Sequence, residues 1–371
     1  MAVDPNVLDS LRGVSLNRKL LDHALRHAHY LERFKSGQVR KIVALLNEDV
    51  IPDLVETLRQ RLENIATRGP GASVKSTQRL RDMIIATGVI LQVGLKTIGE
   101  KFVGDMKEFA LTEARWQQAL IRKVAPIELN FIMPNVGTLN SIVASRPVQG
   151  VIIRDIFKGV GARAQTKIRE QINIGLAAGE TVPQMMTRVM GVAQNNYADG
   201  VPGTMRRQAE AAVRTVATHV SAETRNETFL ANEDLLRGHQ FVATLDEKTS
   251  AVCIANDGKF FPIGESHPLP PLHYNCRSQI VGVVKSWKEL GIPGLNELPP
   301  STRASMNGQV SEKLSYGDWL RTQPKEFVED VMQSKARASL FLQNKLDVAK
   351  FVDNKGRWLS LDALKKIVDS D

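Results

Sequence analysis

The chain has 371 residues, 43% of them hydrophobic, which is enough to bury a real core and too apolar for intrinsic disorder. Two cysteines exclude a disulfide scaffold and fit a reducing compartment. The net charge of +9 favours an anionic partner, yet Lys and Arg are scattered over most predicted helices, so non-specific phosphate binding is the only nucleic-acid contact this pattern supports.

The start, MAVDPNVLDSLRG, carries no basic segment followed by an apolar one, so no secretory signal is predicted. Leu16, Leu20, Ala24, Ala28 and Leu31 mark an amphipathic helix, with Ser15 as N-cap and Gly37 just beyond its end. Val39, Ile42, Val43, Leu46 and Val50 give a second helical face, resumed by Leu54, Leu58 and Leu62 after Pro52, which should kink or split the helix. Thr67 to Ser73 reads as a loop. Thr77 to Lys123 reads as almost wholly helical, its glycines at 88, 94, 99 and 104 marking either breaks or close helix packing. Its most apolar run, Met83 to Leu95, is too short to span a bilayer, so the expectation is a soluble protein folded in cytoplasm, with no membrane segment.

Pro126 to Gly150 reads as a loop-rich connection. A helix from Ile152 to Ala178 stops at Gly179, and Thr181 with Gln184 forms a capping box for a short helix through Val189. After the loop NNYADGVPG comes a long polar helix, Met205 to about Leu230, with Arg214, Thr215, His219, Glu223, Arg225 and Asn226. Beyond a β-rich stretch, Tyr316 and Trp319 anchor a turn and helix, and two short helices follow, one over Ala336 to Leu346 and one N-capped by Ser360. The class is α+β and predominantly helical. Three regions are expected: an amino-terminal bundle (1–125) as candidate docking element, a central domain (126–285) and a carboxy-terminal extension (286–371).

The chemistry-bearing residues crowd into His239 to Val284, which holds both cysteines and three of the seven histidines. Strands at Phe241 to Leu245, Lys259 to Phe261 and Ser278 to Val284 flank a loop dense in Pro and Gly. His273 and Cys276 form an H-x-x-C pair, and a strand-loop-strand hairpin would bring Cys253 beside them. Cys253, His273 and Cys276 thus fit a structural zinc site with Asp246 or His267 as fourth ligand, while two buried reduced thiols or one disulfide are the alternatives. Asp246 opens the turn DEKTS, Asp257-Gly258 is a second turn, and Arg277 can pair with Asp246 or Glu223. His23 and His27 are four apart but lack the glutamate of a zincin and read as surface histidines. No Walker loop, Rossmann glycine pattern, nucleophile elbow or EF-hand is present, so no catalytic or cofactor-binding residue is assigned.

The order of these elements resembles the phage Mu protein F-like family of minor head (head morphogenesis) proteins. The family pattern of a polar A-R-T helix, T-L-D-x-R-T, C-x-x-x-D-G-K-x-F, a Pro-rich loop and H-P-N-C-R has counterparts here. They are Arg214-Thr215 and the helix to Asn226, Thr244 to Thr249, Cys253 with Asp257-Gly258-Lys259 and Phe261, Pro270-Pro271-Leu272-His273, and Asn275-Cys276-Arg277. The resemblance covers roughly 150–285. Departures are Val213 for Ala, Lys248 for Arg, Tyr274 for Pro, Ser278 for a frequent Cys, and the lack of a cysteine just before Cys253. The resemblance implies a minor capsid protein of the virion, at the portal or capsid interior and made in host cytoplasm, acting in head assembly or DNA delivery. Its implied partners are portal or major capsid protein and packaged DNA. A virion-carried metal-dependent nuclease or transferase, and an internal DNA-binding protein, are the other readings.

Overall fold

A computed structural model describes residues 16–66, 73–125, 129–195, 197–286, 288–290, 302–305, 308–311, 314–344, 346–353 and 355–368. Helix α1 is Leu16–Leu45. It runs through Gly37 rather than stopping there, because one interior glycine costs only about 1 kcal/mol against the surrounding helical turns. The expected cap Ser15 lies outside the described residues. The disturbance foreseen at Pro52 takes the form of a π-helical turn, Leu46–Val50, directly before α2, Ile51–Ala66. Proline supplies no N–H to the carbonyl four residues back, so the chain widens locally instead of breaking. The face Leu46, Val50, Leu54, Leu58 and Leu62 is fully buried, as its spacing predicts.

The expected loop 67–73 lies outside the described residues except for Ser73, which starts α3, Ser73–Val124. The helix is unbroken, so its glycines are packing positions. A Cβ at Gly94 would lie 2.7 Å from Val50 Cγ2, and one at Gly99 would lie 3.1 Å from the Arg154 carbonyl. Gly104 has nothing within 4 Å. By length and composition part of α3 could cross a membrane, since its best 18-residue window has a mean hydropathy of 1.3. Only 39% of that window is buried: α3 buries Met83, Leu91, Leu95, Ile98, Phe102 and Met106 and leaves Ile85, Val89 and Val93 exposed.

The stretch expected as a loop before Gly150 contains a helix, α4, Val136–Ser145. Asn135 caps it by accepting from Thr138 N–H at 2.9 Å, and Leu139, Ile142 and Val143 are buried. Helix α5, Ile156–Ala177, follows a 3-10 turn at Ile153–Asp155, and Gly179 takes φ +67° at its end. The Thr181–Gln184 capping box opens α6, Val182–Met190, as expected. Helix α7, Val201–Leu230, starts earlier than its apolar pattern suggested.

Strands β1 (Leu236–Val242), β2 (Phe260–Pro262) and β3 (Gln279–Val284) form an antiparallel sheet in the order β2-β1-β3, with His239 opposite both Phe261 and Gly282. The strand expected at Phe241 to Leu245 is thus displaced. Ala243 N–H donates to the Asp257 carboxylate at 2.8 Å instead of joining the ladder, which ends β1. Helix α8, Ala251–Asn256, lies between β1 and β2.

A small hairpin, β4 (Thr302–Ser305) and β5 (Gly308–Ser311), was not anticipated, nor was the helix Lys325–Met332. The tail consists of α9 (Tyr316–Arg321), α10 (Lys325–Met332), α11 (Lys335–Asn344), a 3-10 turn (Val348–Phe351) and α12 (Leu361–Val368). Tyr316 and Trp319 are its buried anchors, packed edge to face at 5.2 Å with Leu320, Phe341 and Phe351 in the same cluster.

The result is mostly helical with a small sheet, the α+β class expected. Contacts divide the chain into two compact units. One comprises described residues of 1–32, 109–139 and 218–371, and the other comprises 33–108 and 140–217. These units are interleaved along the chain and cut across the three consecutive regions read from sequence.

The two kinds of glycine in α3 should respond oppositely to alanine. Gly94→Ala must push Val50 aside and should lower stability by about 1–3 kcal/mol. Gly104→Ala should raise it by roughly 0.5–1 kcal/mol. Denaturant unfolding of the two variants checks both, and a stabilised Gly94→Ala protein would refute the packing argument.

Candidate functional site

The loop from Ile263 to Ser278 contains neither helix nor strand, and its cis Pro270-Pro271 bond leads directly into His273. Asn275, at φ +59°, closes a turn in which Cys276 N–H donates to the His273 carbonyl at 3.3 Å. That turn sets His273 and Cys276 beside each other. Cys253 does lie beside them, as expected, and it is carried by the short helix α8 between β1 and β2.

The two sulfurs are 3.6 Å apart, and Cys253 Sγ lies 3.3 Å from His273 Nε2. Both cysteines are buried at 1% exposure, and His273 is half-buried. His273 Nδ1 donates to the Tyr274 carbonyl at 2.8 Å, which leaves Nε2 facing the sulfurs. Thr218 Oγ donates to the Cys276 carbonyl at 2.8 Å and so ties the loop to α7.

A hydrogen bond with Cys253, together with the His273 imidazole, pulls the Cys276 thiol below its ordinary range against the opposing effect of burial. The same hydrogen bond, reinforced by burial, pushes Cys253 up. Cys276 raises His273 despite burial.

Asp246 and His267, the candidate fourth ligands, lie outside the group that the three residues form. Asp246 is committed elsewhere. Its oxygens accept from Arg277 Nη1 at 2.5 Å and Nη2 at 2.7 Å, and Oδ1 also accepts from Lys248 N–H and Thr249 Oγ, the turn-capping role its sequence position implied. Burial opposes ionisation of Asp246, but Arg277 outweighs it and the carboxyl is lowered overall. Of the two partners open to Arg277, the structure pairs it with Asp246. His267 instead packs edge to face on His239 at 4.2 Å. Burial, and secondarily His267, hold His239 down at about 4.

Asp257 does more than make a turn. One oxygen accepts from Ala243 N–H and the other from Tyr316 N–H, both at 2.8 Å, while Tyr316 OH donates to the Asp246 carbonyl at 2.6 Å. The motif residues from Asp246 to Asp257 are thereby clamped to α9.

The feature sequence reasoning missed is a fully buried charged cluster. Glu113 on α3 accepts from Arg225 Nε on α7 at 2.7 Å and from Ser221 Oγ at 3.2 Å, and its other oxygen meets His27 Nε2 on α1 at 2.7 Å. Arg225 Nη1 reaches Gln279 at 2.9 Å and the Ile280 carbonyl at 3.0 Å on β3. Trp116 stacks on His27 at 3.6 Å and lies 5.4 Å from the Arg225 guanidinium. His27 is thus a core residue at 7% exposure rather than a surface one. Its signal in the sequence was one helical turn's offset from Ala24 and Leu31, on the apolar face. Burial works to raise the Glu113 carboxyl, but Arg225 and then His27 overcome it and hold it at about 2.

Glu113→Ala should lower stability by roughly 3–5 kcal/mol, because it strands Arg225 in the core. The double change Glu113→Leu with Arg225→Met should recover much of that loss, measured by denaturant unfolding. Because folding depresses the Glu113 carboxyl from 4.5 to about 2, its stabilisation is complete above 4.5 and fades as pH falls through that interval. The wild-type unfolding midpoint should drop over that window more than that of Glu113→Gln. Asp257→Ala should cost about 1–3 kcal/mol by stripping two N–H groups of their acceptor.

Residues 166–281 match the family model for phage Mu protein F like proteins. No curated protein and no solved structure matches the chain significantly. The match encloses α7, β1, β2, the first three residues of β3, and every residue of the Cys253, His273 and Cys276 group. Over that segment, less than half of the chain, the protein is similar to the phage Mu protein F like proteins.

Proposed function

We propose that the protein is a minor capsid component of a phage head, located at the portal or the capsid interior, and that it acts in head assembly or DNA delivery without catalysing a reaction. The observation that carries this reading is the family segment at 166–281, whose motif residues are spent on holding the fold. Asp246 is occupied by Arg277, Asp257 caps two backbone N–H groups, and Arg225 is sealed against Glu113.

The partner is portal or major capsid protein, engaged through the amino-terminal helices. Ile85, Val89 and Val93 of α3 support this, since they are 62%, 53% and 60% exposed and spaced four apart on one helical face. The net charge of +9 suits a position beside packaged DNA, where phosphate attraction needs no specific contact.

Mass spectrometry of purified mature particles should detect the protein, and portal protein should be recovered with it from infected cells. Val89→Glu combined with Val93→Glu should leave the fold intact by circular dichroism and reduce incorporation into heads about tenfold or more. Mature particles without the protein, together with failed portal recovery, would overturn the reading.

A further inference from the structure

We propose that Cys253, His273 and Cys276 together bind one zinc ion that fastens the 263–278 loop to α8. Ligands on a tetrahedral zinc, with bonds of about 2.3 Å to sulfur and about 2.0 Å to nitrogen, lie roughly 3.8 Å apart for two sulfurs and roughly 3.5 Å apart for sulfur and nitrogen. The observed separations are 3.6 Å and 3.3 Å. All three ligand atoms fall within 4.8 Å of one another, so an ion can reach them with small side-chain adjustments.

The supporting atoms suit the same purpose. His273 Nδ1 is engaged by the Tyr274 carbonyl, which fixes the ring with Nε2 presented to the sulfurs. Ser250, at the N-cap of the short helix that carries Cys253, hydrogen-bonds the Cys253 thiol through its side chain. The Cys276 backbone is anchored from both sides, by the His273 turn and by Thr218. Two thiols and a neutral imidazole exchange two protons for one divalent cation, which leaves a neutral centre compatible with burial. Sulfur ligands select a soft or borderline metal over magnesium or calcium. Three protein ligands leave the fourth coordination position to water.

Metal also accounts for the loop itself. The stretch 263–278 has no helix or strand, and Ile263, Leu269, Leu272 and Cys276 pack on the cluster around Phe241 and Ile280. A cross-link from Cys253 to two positions in the loop supplies the missing restraint.

The test uses the full chain, purified under reducing conditions and titrated with cobalt(II) as a spectroscopic substitute for zinc. The expected result is about one equivalent of metal with a thiolate-to-cobalt charge-transfer band, displaced by zinc. Cys276→Ser and His273→Ala should each weaken binding at least tenfold. Since these variants could fail to fold, the wild-type chain provides a second measurement: both thiols should react slowly with a thiol reagent when zinc is bound and rapidly after chelation. Reduced wild-type protein that takes up no cobalt, or whose thiols react equally fast with and without zinc, would overturn the proposal. So would a Cys253–Cys276 disulfide that forms unhindered in the presence of excess zinc. Because metal binding is read on the isolated chain, its failure is distinguishable from failure of the virion assignment.

Discussion

A guanidinium and a carboxylate removed from water must satisfy each other, and that requirement sets the alignment of one whole compact unit. Arg225 and Glu113 are at 1% and 0% exposure, where an unpaired charge is costly by several kcal/mol. The pair therefore specifies how α3 and α7 pass each other. The remaining donors and acceptors extend the constraint, through Gln279 and the Ile280 carbonyl to β3 and through His27 to α1. An apolar core tolerates sliding by a turn, whereas a guanidinium whose Nε and Nη1 must meet Glu113, Gln279 and the Ile280 carbonyl does not. Asn17 adds a second fixed point, exchanging hydrogen bonds with both the N–H and the carbonyl of Val284.

A second network repeats this logic with backbone groups. Asp246 and Asp257 each serve several donors, and Tyr316 links to both, so the turn at 246–249, the turn at 257–258 and α9 hold one another. Asn232 does the same for the extended segment near Ile132, pairing with its N–H and carbonyl at 2.7 Å each.

What could be read along the sequence was whatever a few consecutive residues decide. The Thr181–Gln184 capping box, the αL stop at Gly179, the Asp246 turn and the buried heptad-like face of Leu46 to Leu62 all follow from local chemistry, and all are present. The α+β class and the proximity of Cys253, His273 and Cys276 were likewise legible. Long-range pairings were not. Nothing near Ala243 announces that its N–H will be taken by Asp257, so the end of β1 was misplaced. Glu113 and Arg225 each look like one more charge on an amphipathic helix, and their meeting across 112 positions leaves no mark at either place. Helix α4 was hidden because Gly137, Thr138, Asn140 and Ser141 are poor helix formers, although Asn135 was a capping signal that could have revealed it.

These two kinds of information bear on what the family segment is. The matched residues 166–281 carry Arg225, Gln279 and the motif turns, but the groups that complete them lie outside. Glu113, Trp116 and His27 come from before the segment, and Tyr316 comes from after it. The motif is thus recognisable as a continuous stretch of sequence without containing its own charge balance or all its hydrogen-bond partners. The physical unit is assembled from three separated parts of the chain, 1–32, 109–139 and 218–371, and the partners that a buried arginine and a capping aspartate demand are what bring those parts together.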